Sequence, residues 1–177
     1  MNNENIQERI LSLKKELEKA LEGLVKYLQD PGRARIIVQR RDLVNKICAY
    51  LDDIIYKIYE VISKTEELNV PAELKSIQDN IYNELKEAIE FLVTIKDKVH
   101  ELISKEEIKE LEEMKRKCSE KVWNAQGYAS EICKKLSSGR VMDLSTIRKC
   151  NKILGLLMNV IDYVPEVNML MKKLGEV

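Results

Sequence analysis

Glycine and proline are scarce in this chain, six and three among 177 residues. Sheet folds with many turns need more of both, so the composition argues for an all-helical protein. Aromatic residues are scarce too, at 5%. The core must therefore be built from Leu, Ile and Val, with seven tyrosines and the single Trp123 and Phe91. Histidine occurs once, as His100. Asp97 and His100 form one carboxylate-x-x-His pair, but a di-iron bundle needs that motif on two helices, so the class is excluded. Charge of one sign is not in excess, with 30 basic and 30 acidic residues. A polyelectrolyte partner for the whole surface is not implied; only a local patch could serve one.

Other signatures are missing as well. There is no glycine-rich phosphate loop and no Gly-x-Ser-x-Gly, so neither nucleotide chemistry nor a serine hydrolase is indicated. No CxxC pair occurs among Cys48, Cys118, Cys133 and Cys150. Cys118 and Cys133 fall on one expected helix, too far apart to bridge. No cysteine has a sequence-level reason to meet His100. The four read as reduced, buried thiols of an intracellular, cytoplasmic protein. The opening "MNNENIQERI" is too polar for a signal peptide. The most apolar run, "ILGLLMNVI" at 153–161, is far shorter than a membrane span.

What is present is helical periodicity almost everywhere. Apolar residues make up 45% and charged residues 34%, a globular balance. A first helix is expected over 3–29, with Ile6, Ile10, Leu13, Leu17, Leu21, Leu24 and Leu28 on one stripe. "DPGR" should break it. A second helix follows over 33–66, striped by Ile37, Val44, Ile47, Leu51, Ile54, Ile58 and Val61. Pro71 suits the first position of a third, over 71–103. "SKEE" at 104–107 reads as a capping box opening a fourth, over 105–137. "SSGR" ends that helix and "DLST" opens a fifth, over 144–163. Pro165 should then separate a short tail helix.

Apolar spacing that alternates three and four is the seam pattern of bundles and coiled coils. Short connections imply antiparallel neighbours. The expectation is one all-α domain over 1–177. Its architecture is an up-and-down antiparallel bundle of four long helices, plus a shorter fifth helix and a short C-terminal tail helix. The fifth, apolar nearly all round, should be the most enclosed element or else the face of a subunit contact. The segments "VNKICAYLDDIIYKIYEV" (44–61) and "CNKILGLLMNVIDYVPEV" (150–167) align without gaps. Two amphipathic helices drawing on the same residue types account for that better than a duplication, because the period does not recur.

Carboxylates recur as ExxE, in Glu84, Glu87 and Glu90 and again in Glu107, Glu110 and Glu113. Such pairs hold magnesium in some helical hydrolases, since hard cations want oxygen ligands. Here Glu87 and Glu90 point away from the apolar stripe and interleave with lysines, as on a solvated face. No metal or cofactor is expected, and no catalytic residue is assigned.

The stretch "DPGRARIIVQRRD", residues 30–42, is the unusual one. It holds Arg33, Arg35, Arg40 and Arg41, half of the eight arginines in the chain. On a helical wheel Arg33 and Arg40 fall in line with Ile37, Val44 and Leu51, Arg41 at the edge of that stripe, and Arg35 nearly opposite. One account is ion pairing across the hairpin to Glu18, Glu22 and Asp30. Another is an anion site at a helix N-terminus, with nucleic-acid backbone as ligand and Arg140 from the "SSGR" break joining it; a third is an anionic protein or lipid partner. Base stacking has little support beyond Tyr27 and Tyr50.

Two local resemblances cover small parts of the chain. "RARIIVQ" with Lys46, "ILG" and "VPEV" resemble the archaeal membrane-remodelling ESCRT-III family. That family implies a strongly basic first helix, whereas residues 1–30 hold six acids against five bases. "YASEICKKL" followed by "DLSTIRK" resembles the small helical subunit of type III CRISPR complexes. Neither supplies site residues. The expectation is a non-catalytic structural or interaction subunit, a homo-oligomer or part of a larger assembly. The alternative is a nucleic-acid-binding subunit using Arg33, Arg35, Arg40, Arg41 and Arg140.

Overall fold

The structure, a computed structural model, describes residues 3–101, 105–138 and 143–177. Among them there is helix and no strand, as the glycine and proline counts implied. The elements are α1 (Asn3–Leu28), α2 (Pro31–Glu66), a single 3₁₀ turn (Ala72–Leu74), α3 (Lys75–Val99), α4 (Lys105–Ser138) and α5 (Leu144–Glu176). Ser104 of the expected capping box and Arg140 lie outside the described residues.

"DPGR" is a helix start rather than only a break. Asp30 is the N-cap: its carboxylate accepts from the Gly32 N–H at 2.9 Å, and its carbonyl accepts the first helical bond from Ala34. Pro31 then occupies the first helical position, where no N–H is needed. Asp143 does the same for α5, accepting from the Thr146 N–H at 2.7 Å. That N–H holds the Asp143 carboxyl below its ordinary range.

Pro165 does not end the fifth helix. α5 runs through it to Glu176, so there is no separate tail helix. A proline inside a helix forfeits one hydrogen bond and costs about 3 kcal/mol. Beyond it Val167, Leu170, Met171 and Leu174 are all buried. Each such side chain gains about 1.5–3 kcal/mol on burial, so continuing the helix wins.

The chain divides into two compact units, Met1–Asp42 with Val177, and Leu43–Glu176. In the first, every described α1 side chain is exposed. Ile6, Ile10, Leu13, Leu17, Leu21, Leu24 and Leu28 are between 45% and 61% exposed. None of the described α1 side chains is buried, whereas its apolar stripe predicts a place among four bundled helices.

In the second unit one core joins α2 (Ile47, Leu51, Ile54, Ile58), α3 (Ile81, Leu85, Leu92, Ile95), α4 (Leu111, Val122, Ile132) and α5 (Ile153, Leu157, Val160, Met171). Polar pairs fix the register. Between α2 and α3 they are Asp52 with Lys96 and the Thr65 carbonyl with Gln78. Between α3 and α4 they are Glu84 with Lys121 and Lys98 with Glu110. Between α5 and α2 they are Lys152 with Glu60 and Lys149 with the Glu67 carbonyl. Tyr163 of α5 stacks at a tilt on Tyr50, 5.8 Å between centroids, and carries the Lys57 ammonium 4.4 Å from its own centroid.

The two aligned segments have their matched positions buried alike, Ile47 with Ile153, Leu51 with Leu157, and Ile54 with Val160. α5 is not enclosed on all sides, since Met158 stays 39% exposed. By length and composition α5 is also apolar enough to cross a membrane; its Ile153, Leu156, Leu157 and Val160 lie in this core.

Candidate functional site

The first three turns of α2 carry the arginines. Arg33 spans the α1–α2 junction: its Nε lies 3.5 Å from Asp30 Oδ2, and its guanidinium sits 5.1 Å over the Tyr27 ring. The Arg33 pair is local, three residues apart, rather than the expected reach across to Glu18 or Glu22. Both partners are more than half exposed, so the ion pair contributes little, about 0–1 kcal/mol. Arg40 is half-buried and engaged by its surroundings. Arg35 and Arg41 are exposed and pair with none of the described carboxylates.

These four side chains do not all share a face: Arg33, Arg40 and Arg41 fall within about 100° of one another, while Arg35 points nearly opposite Arg33. Successive residues turn by about 100°, which sets Arg35 and Arg41 roughly 120° apart around the helix. The N-terminus of α2 is also partly occupied already, because the Asp30 carboxylate takes the Gly32 N–H that an anion would use. The acidic cap further opposes a second negative charge there.

Nothing in the spacing of the cysteines and the single histidine puts them together, yet two elements do so. Cys48 Sγ lies 3.3 Å from His100 Nε2, with Cys48 on α2 and His100 at the C-cap of α3. One turn along, Asp52 of α2 pairs with Lys96 of α3 at 2.5 Å. Two i,i+4 pairs thus face each other, Cys48–Asp52 on one helix and Lys96–His100 on the other. That spacing was visible in the sequence; the register that aligns the pairs was not.

A Cys–His pair suggests a nucleophile, but only a thiolate attacks. Here burial pushes the Cys48 thiol up; Lys96 opposes the shift and Asp52 adds to it. An activated cysteine has the reverse, a depressed value. The pair is better described as a buried thiol hydrogen-bonded to an exposed imidazole.

Of the ExxE carboxylates, Glu84, Glu87, Glu110 and Glu113 are engaged in ion pairs. Lys121 of α4 holds both Glu84 and Glu87 of α3, at 3.5 and 2.8 Å. Arg116 pairs with Glu113 at 2.7 Å, and its guanidinium lowers that carboxyl. Among the described residues no group of three or more His, Cys, Asp or Glu side chains is placed to hold a metal ion.

No protein-family model matches the chain, and no curated protein matches it.

Proposed function

We propose that the chain is a non-catalytic structural subunit that self-associates through α1. The observation that carries this reading is the stripe of seven apolar residues on α1, each about half exposed. A helix of 26 residues is about 39 Å long. An apolar stripe of that length, open to water on a helix with no buried side chain, is the usual mark of an interaction face.

The charge pattern favours a second copy as the occupant. Glu4 and Glu8 stand against Arg9, Lys14 and Lys15 in the N-terminal half. Glu16, Glu18 and Glu22 stand against Lys19 and Lys26 in the C-terminal half. The halves have opposite small net charges, so two α1 helices laid antiparallel about a two-fold axis complement each other. A balanced face of this kind does not suit an anionic membrane or a nucleic acid.

In this reading α2–α5 form an up-and-down antiparallel bundle that serves as a rigid body. The polar pairs support it, because residue numbers rise along one helix while they fall along its neighbour. The four free thiols suit a reducing, cytoplasmic setting.

The test is sedimentation equilibrium of the full chain across a wide concentration range, beside Leu17→Lys/Leu21→Lys. The wild type should be a dimer or larger, and the variant a monomer with an unchanged circular dichroism spectrum in the core helices. A wild type that stays monomeric at every concentration overturns self-association. A titration with labelled single- and double-stranded nucleic acid tests the alternative use of Arg35 and Arg41. Binding that weakens steeply with salt would support that alternative.

A further inference from the structure

Cys133 of α4 and Cys150 of α5 lie side by side across the two helices. Both line one open recess of about 500 Å³, together with Ser130, Lys134 and Asn151. Their accessibilities differ. Cys150 is 4% exposed, while Cys133 is only half-buried. The other two thiols are committed elsewhere: Cys48 to His100, and Cys118 to the Ala88 carbonyl at 3.6 Å. Burial, and then the thiol of Cys150 beside it, push the Cys133 thiol up. Lys134, exposed, lines the same recess and gives it a positive charge.

We propose that Cys133 and Cys150 form a thiol–disulfide exchange site whose oxidant is a small anionic disulfide. Cys133, the accessible member, attacks first. It gives up its proton to solvent, and its sulfur bonds to one sulfur of the small disulfide. The small S–S bond breaks, and one small thiolate leaves and takes a proton. Cys150 then loses its proton and attacks the Cys133 sulfur, expelling the second small thiolate. In balance, the two protein thiols lose two electrons and two protons. The small disulfide gains both and leaves as two thiols. The product joins α4 to α5 by a covalent bond. Burial raises the Cys133 thiol as it raises that of Cys48, so Cys133 is not an activated nucleophile. Exchange runs only through its small thiolate fraction and is slow at neutral pH, while Lys134 on the same recess favours the approach of an anionic oxidant.

The probe is glutathione disulfide on the full-length protein, read by intact mass and by peptide mapping after alkylation of free thiols. The wild type should lose the mass of two hydrogens and retain no glutathione. The peptides holding Cys133 and Cys150 should be joined, and dithiothreitol should separate them. The rate should rise about tenfold per pH unit below the thiol's titration, following the thiolate fraction. Cys150→Ser should stop halfway, with one glutathione on Cys133, and Cys133→Ser should leave Cys150 unmodified. A wild type that keeps glutathione, stays fully reduced, or joins Cys48 or Cys118 instead overturns the proposal. Serine replaces sulfur with little change of shape, and circular dichroism checks each fold. Were a variant to unfold, the wild-type map alone decides.

Discussion

The Gln78 side chain donates through Nε2 to the backbone carbonyl of Thr65 at 2.6 Å, and reaches the Leu68 carbonyl at 3.4 Å. One buried amide on α3 thereby serves the carbonyls that the end of α2 leaves without helical partners. Its own Oε1 accepts from Lys75 at 3.0 Å. The contact ties the turn between the two helices to the first turns of α3.

Replacing Gln78 by Leu keeps the volume and removes the donor. The Thr65 carbonyl retains the Leu68 N–H, whereas the Leu68 carbonyl is left without its side-chain donor. The expected loss is about 1–2 kcal/mol of unfolding free energy, the cost of stranding a buried polar group. Urea denaturation of the variant measures it. An unchanged midpoint would show that the amide is not needed at this joint.

Core and stripe should respond differently to the same truncation. Leu157 is fully buried, and Leu157→Ala should cost about 2–5 kcal/mol through lost transfer energy and a residual cavity. Leu17 is 61% exposed, and at a dilution where the chain is a monomer Leu17→Ala should change stability by less than about 0.5 kcal/mol. At high concentration the Leu17 variant should instead weaken association. Denaturation at two protein concentrations separates the effects.

Three glycines, Gly23, Gly127 and Gly155, sit in helix interiors with open space around them, the last two in helices of the core. A Cβ added at Gly127 or Gly155 meets nothing within 4 Å, and no glycine among the described residues has a positive φ. Gly127→Ala and Gly155→Ala should each stabilise by about 0.5–1 kcal/mol, because alanine loses less backbone entropy on folding. A rise in the thermal midpoint is the readout. A fall would reveal a close approach at that position, made by a partner.

Burial pushes the Cys118 thiol from its ordinary 9.0 up to about 12. Below about pH 9 the folded and unfolded chains both hold the proton, and the thiol adds no pH dependence. Above that the unfolded chain releases the proton first. Stability should then fall by at most about 1.4 kcal/mol per pH unit as pH climbs towards the folded value. Tyrosines and lysines titrate in the same window, so the comparison is with Cys118→Ala, whose stability should fall less steeply between pH 9 and 11. Parallel curves for the two proteins would remove Cys118 from the account.

Much of the fold was legible because helices are written locally. Few glycines and prolines, and apolar residues three and four apart, place five helices and most of their ends within a few residues, the end of α5 at Glu176 being the exception. Asp30 and Asp143 declare their caps by type and position. Pro165 misled because its local cost is real; the burial of Val167, Leu170, Met171 and Leu174 that outweighs it involves residues far along the chain. The candidate sites were less legible. Cys48 and His100, or Cys133 and Cys150, are unrelated in sequence until helix register sets them together. The ExxE glutamates suggested local lysine partners, while Lys121 reaches Glu84 and Glu87 from the next helix.

The sequence by itself determined the helical class, the starts of the helices and the apolar stripe of each, since these depend on residues within one or two turns of each other. The tertiary structure alone decided which stripes are used. α1 and α2 both show a long apolar face, yet Leu17 is open to water while Leu51, on a stripe of the same kind, is buried. The difference is physical: a stripe is buried only where other elements present matching surface to it, and that surface belongs to the rest of the chain or to another molecule, not to the helix.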